Sequence, residues 1–119
     1  KIAGDAIKGS FYSNHYAPDQ ADAAVKDFIK RYQAEFNGKT PDGLAALGYD
    51  AACLLFDAMK RSRSLGGRAL RDAIAATRDF KGVTGSITID ENRDAKKGAV
   101  IVEMAGSPLG PKFRAQINP

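Results

Sequence analysis

Pro41-Asp42-Gly43-Leu44-Ala45-Ala46-Leu47-Gly48-Tyr49-Asp50-Ala51-Ala52 opens the longest apolar-periodic segment of the chain. Thr40 is placed to cap a helix, Pro41 to occupy the first helical position, and Asp42 to face the positive end of the dipole. Leu44, Leu47, Ala51, Leu54, Leu55, Ala58 and Met59 form the main apolar face of this predicted helix. Tyr49 and Phe56 fall well off that face, so apolar groups cover more than half the circumference. Such a helix wants cover on two sides. A small chain with three helices and about three strands is short of that cover. The expectation is an α/β unit that belongs to a larger parent.

Upstream, Val25, Phe28, Ile29, Tyr32 and Phe36 make one stripe at helical spacing, with Asp19 as the candidate N-cap. Asn37-Gly38 ends that helix, since both residues tolerate the left-handed conformation. Before it, residues 6–13 fit a strand that Gly9 weakens. Downstream, Ser64-Leu65-Gly66-Gly67 breaks the chain and residues 68–77 make a third helix. Residues 80–85 read as a loop with two glycines, Ser86-Ile87-Thr88-Ile89-Asp90 as a half-buried strand, and 91–94 as a turn. The β-branched run at 99–104 reads as a buried strand. Residues 108–119 read as an exposed, irregular tail.

Composition excludes several classes. With 119 residues, 44% hydrophobic and 27% charged, the chain is that of an ordinary globular protein. No apolar run reaches the ~20 residues needed to cross a bilayer. The net charge of +4 is modest, and bases interleave with acids as in Lys26-Asp27 and Arg71-Asp72, so no nucleic-acid partner is expected. The N-terminal residues carry no initiator Met and no features of a signal peptide.

Few residues could carry chemistry. Asp90, Asn92 and Asp94 match the first positions of a calcium loop, but Ala95 stands where glycine is required and Ile101 where the closing Glu belongs. They read as a plain turn. His15, the only histidine, lacks an activated nucleophile and an orienting acid. Cys53, the only cysteine, falls among Asp50, Asp57 and Lys60 on the polar side of its helix, an unsuitable setting for a thiolate. Neither a metal, a cofactor nor an enzymatic activity is expected.

The order of segments says more than any one residue. Three stretches in sequence carry the resemblance: Ile7-Lys8-Gly9-Ser10-Phe11-Tyr12-Ser13-Asn14-His15-Tyr16-Ala17-Pro18-Asp19 with its helix, the stretch from Pro41 to Ala52, and Leu70-Arg71-Asp72-Ala73-Ile74 through Asn92. Together they resemble the C-terminal part of the type I periplasmic binding proteins of ABC importers, in the leucine/isoleucine/valine class. That resemblance implies a two-lobed parent closing on a solute over a hinge. Residues 1–107 would be its C-terminal segment, with hinge crossings near 12–16 and 90–98. Ser13, Asn14 and His15 become hinge candidates, and Leu44 a residue pointing at the solute. In the family the amino and carboxyl groups of the solute are held by segments that precede this stretch, so the chain by itself would lack most of the site.

The resemblance further implies a periplasmic location, or an extracellular, membrane-anchored one in a Gram-positive parent. The partners would be an amino acid or related solute and the permease subunits. The alternative is the ligand-sensing domain of a receptor or regulator with the same fold. A chain that interrupts two lobes is expected to self-associate, exchange strands or bind a complementing chain.

Overall fold

The computed structural model describes residues 4–118; residues 1–3 and Pro119, the two ends of the expected segments, lie outside them. After a single 3-10 turn at Gly4–Ile7 come β1 (Phe11–Asn14), α1 (Ala23–Glu35), α2 (Gly43–Arg61), α3 (Gly67–Ala75), β2 (Phe80–Gly82), β3 (Gly85–Ile89), β4 (Ala95–Lys97), β5 (Ala99–Ala105) and β6 (Gly110–Ile117). The α/β class and the three helices are as expected. The six strands exceed the expected three, and they fall into two antiparallel sheets, ordered β1-β5-β6 and β2-β3-β4.

Each helix is set by local chemistry. α1 starts at Asp22, whose carboxylate accepts from the amides of Ala24 and Val25. The expected cap, Asp19, is used elsewhere. The helix stops before Asn37 and Gly38, both at positive φ (53° and 77°), as their residue types predict. α2 is capped by Asp42 rather than Thr40: its Oδ1 accepts from the Ala45 amide at 2.8 Å, and Pro41 stands outside the helix. Arg61 at the end of α2 pairs with Asp57 and donates to the Ala73 carbonyl and the Thr77 hydroxyl, which fixes α3 against it.

The buried stripe of α2 differs from the expected one. It runs Ala46, Asp50, Leu54, Ala58, while Leu44, Ala51 and Leu55 are exposed. The reason is Asp50. Counted as polar, it marks the solvent side of the wheel, yet it is only 2% exposed because its charge is fully hydrogen-bonded.

Three further differences concern strands. Gly9, at φ +81°, breaks the expected strand over 6–13, and only its second half pairs. Residues 80–82, expected as loop, form β2, hairpinned on β3 through the Val83-Thr84 turn. The expected irregular tail is mostly β6, antiparallel to β5 along its whole length. One extra residue, Arg114, bulges this ladder between Ile101 and Val102.

The core is divided. Tyr16, Val25, Phe28 and Ala46 pack together, with Ile29, Tyr32, Tyr49 and Val83 against them. Leu54, Ile87 and Ile89 join Ile74 and Phe80 beneath α2 and α3. Ala17, Val100, Val102 and Phe113 form a separate cluster on the first sheet. The molecule therefore has two halves, a β1-β5-β6 half and a helical half that carries the second sheet, with extents of 54 × 33 × 26 Å.

Candidate functional site

Two connections join the halves. The first leaves β1 at Asn14 and reaches α1 through residues 15–22. Asn14 ends the pairing of β1 with β5, and its side-chain oxygen accepts from the His15 amide at 2.8 Å. The same oxygen would lie 2.8 Å from a Cβ at Gly43, so a bare glycine at the start of α2 lets the Asn14 side chain rest there. Leu44 follows directly and is 75% exposed. The expected hinge residue Asn14 and the expected solute-facing residue Leu44 thus sit at one corner. Ser13 is exposed in β1, and His15 is exposed beside it.

Tyr16 anchors this corner. It is 1% exposed, its ring meets Phe28 edge-on at 6.3 Å, and its hydroxyl donates to the Pro41 carbonyl just ahead of α2. Burial, with the Asp42 carboxylate and Tyr32 nearby, pushes its pKa from 10.0 up to about 12. Further along, the carboxylate of Asp19 accepts from the Phe113 amide at 3.0–3.1 Å, at the bulge of β6. Asp19 thus lies three residues ahead of the α1 cap at Asp22 and is engaged with β6.

The second connection is shorter than the expected crossing over 90–98. Residues 90–94 form the β3–β4 turn, in which Asp90 accepts from the amides of Asn92 and Asp94. β4 then pairs with β3 as far as Lys97, and β5 begins at Ala99. Only Gly98 lies between the sheets. It is buried, and a Cβ there would stand 2.6 Å from the Ile117 carbonyl oxygen. The Lys97 ammonium donates to the Gly98 carbonyl at 2.9 Å. Burial pulls the pKa of that ammonium below the ordinary lysine range, against the opposing field of Asp50.

Asp50 supports this side. Its carboxylate accepts from the Val83 amide (2.7 Å), the Thr84 amide (2.8 Å) and the Thr84 hydroxyl (2.7 Å). Gly82, without a Cβ, leaves the carboxylate room. The turn so held faces the first sheet across a recess of about 50 Å³, where Thr84 and Gly85 meet Val100 and Gln116. Neither Asp50 nor Gly98 stood out in the sequence. An acid inside an apolar helix, paired with a distant Gly-Val-Thr-Gly turn, is the one signal that could have found the former.

A larger open groove, about 620 Å³, runs between α3 and β3 over Leu70, Ile74 and Ile89. None of the expected site residues lines it. Among the described residues no cluster of His, Cys, Asp and Glu is arranged to hold a metal, and no helix is long and apolar enough to cross a membrane.

A β1-β5-β6 half and a helical half that carries the second sheet, joined by two connections, make up part of a periplasmic binding protein fold. The chain belongs to the periplasmic binding protein family, whose model matches residues 1–108. Among solved structures it is similar to a leucine-binding protein of Thermotoga maritima, with 37% identity and a TM-score of 0.79. That match covers 99% of this chain and 33% of the other. It is also similar to a solute-binding protein of an ABC transporter from Rhodopseudomonas palustris, solved with 3,4-dihydroxybenzoic acid (30% identity, TM-score 0.73, 97% and 32% covered). A third is a branched-chain amino acid transporter substrate-binding protein of Streptococcus pneumoniae in complex with isoleucine (28%, TM-score 0.71, 92% and 30% covered). The chain spans about a third of the length of these structures. No match is found among curated protein sequences.

Proposed function

We propose that this chain is the hinge-bearing portion of an extracytoplasmic solute-binding protein that delivers branched-chain amino acids to the permease of an ABC importer. The observation that carries the reading is the pair of connections, Asn14 to Asp22 and Gly98, between two separately packed halves. Two chain crossings between rigid units permit rotation of one against the other, and closing over a solute excludes water from it. Leu44, exposed on the first turn of α2 beside Asn14, offers an apolar side chain to an aliphatic solute. Ser13, Asn14 and His15 carry the backbone change at the first crossing. A periplasmic location follows from the same reading.

Leucine, rather than an aromatic acid, is the solute favoured by the similarity at 37% identity. The family resemblance puts the groups that hold the amino and carboxyl ends of the solute in segments that precede this stretch, so the chain binds no amino acid tightly by itself. Calorimetry tests this on the full-length two-lobed protein and on the isolated chain. Leucine, isoleucine or valine should bind the former and not the latter. Binding of 3,4-dihydroxybenzoate alone, or tight leucine binding by the isolated chain, overturns the reading.

A further inference from the structure

α1 ends on Asn37-Gly38, the one Asn-Gly pair in the sequence. Asn37 has φ 53° and Gly38 φ 77°, and both residues are exposed. The Gly38 amide turns back onto the helix and donates to the Gln33 carbonyl at 2.8 Å, the long bond of a Schellman cap. The Phe36 ring stacks on Tyr32 at 4.3 Å and holds the last turn closed. Asn-Gly is also the pair in which the side-chain amide is most open to attack by the following nitrogen, because glycine has no Cβ to obstruct the approach. The other three asparagines precede His15, Arg93 and Pro119. His15 and Arg93 each bring a Cβ, and proline has no amide hydrogen to lose. The cap of α1 therefore joins a reactive pair to a hydrogen bond that restrains it.

We infer that Asn37 is a deamidation site gated by the C-terminal turn of α1. In the reaction the Gly38 amide gives its proton to hydroxide, and its nitrogen bonds to the side-chain carbonyl carbon of Asn37. The bond from that carbon to the side-chain nitrogen breaks, and ammonia leaves with a proton taken from water. A second water opens the five-membered imide. Cleavage of the new bond yields aspartate, and cleavage of the original peptide bond yields isoaspartate, with the chain routed through the side chain. In the capped helix the Gly38 hydrogen is engaged by Gln33 and the peptide is fixed in a left-handed turn. Ring closure requires that turn to open, and helix ends open locally at little cost. The change runs one way. Isoaspartate adds a methylene to the main chain, which carries the Gly38 amide away from Gln33. Aspartate sets a negative charge at the negative end of α1, whose last turn holds no base. Either product loosens the turn beside the Tyr32 ring that packs on Phe28.

The test ages the full-length protein that carries this chain at mildly alkaline pH, in buffer and in concentrated urea. Peptide mapping by mass spectrometry reads aspartate and isoaspartate at each asparagine. In urea Asn37 should convert faster than Asn14 and Asn92. In buffer its conversion should be about tenfold slower than in urea, as for a reaction that proceeds only from a locally opened minor state. Hydrogen exchange at the Gly38 amide, measured on the same sample, should show protection of similar size, and the aged protein should lose it. Phe36→Ala removes the stack on Tyr32 and should speed conversion several-fold in buffer while leaving the urea rate unchanged. Conversion as fast in buffer as in urea, with the Gly38 amide protected, overturns the gating. So does a Gly38 amide that exchanges freely in fresh protein, since the turn is then not closed. Conversion of Asn14 or Asn92 ahead of Asn37 in urea overturns the choice of site.

Discussion

The two connections between the halves are built on opposite plans. The Asn14–Asp22 connection is long and held by side chains: Tyr16 is plugged into the helical half, Asp19 grips the bulge of β6, and Asn14 rests on Gly43. The Gly98 connection is a single residue held by the absence of a side chain, with the Ile117 carbonyl where a Cβ would go. The difference teaches where freedom resides. A tethered loop can rearrange many torsions slightly, whereas a one-residue link concentrates any relative motion in its own φ and ψ. On the hinged reading proposed above, the first connection would set which surfaces meet and the second the axis of turning.

Removing the support of the short connection should have the largest effect. Asp50→Ala leaves the Val83 and Thr84 amides and the Thr84 hydroxyl without their partner, and should lower stability by about 3 kcal/mol. A shift of the urea midpoint at constant slope checks this, and a change under about 1 kcal/mol would mean that water replaces the carboxylate. Next comes Gly98→Ala, which sets a methyl group against the Ile117 carbonyl and should destabilise by about 2 kcal/mol. Gly48→Ala, into open space, is the control and should not destabilise. If both substitutions behave alike, the contrast between the connections fails.

The long connection should tolerate more. Tyr16→Phe keeps the ring against Phe28 and removes only the bond to Pro41, for a loss of about 1 kcal/mol. The same residue gives the long connection a pH signature. Its folded pKa lies above its ordinary value, so folding favours the neutral phenol. That stabilisation is complete below pH 10.0 and is lost as pH rises toward about 12. The difference in urea midpoint between wild type and Tyr16→Phe should therefore narrow across that window. A constant difference would detach the hydroxyl from the stability of the crossing.

Local signals in the sequence located the elements better than they located their orientation. The Val25-Phe28-Tyr32 stripe, the end at Asn37-Gly38 and the β-branched run of β5 are dictated within a few residues, and they appear as read. The caps were displaced because several candidates stood in a row. Asp19 is engaged by Phe113, and at α2 the cap is the nearer Asp42 in place of Thr40. β6 has weak intrinsic preference, with Pro111 in its run, and exists because β5 offers an edge. At the candidate site, only the order of segments singles out Asn14 and Leu44, and their roles are a proposal. Gly98 was not legible, since a residue without a side chain leaves no mark in a hydrophobic pattern.

The aromatic packing at the long connection has a consequence for observation. The chain has no tryptophan and four tyrosines. Tyr16, Tyr32 and Tyr49 all belong to the cluster around Phe28, and Tyr12 lies in β1 just before the crossing. Every tyrosine is thus gathered around the first crossing, with Tyr16 donating its phenolic proton to a carbonyl. The native emission of the unlabelled protein is a local gauge of that crossing, blind to the far end at α3 and the β3–β4 turn. A change in its intensity or lifetime on adding solute would report rearrangement at the first crossing without any probe being introduced.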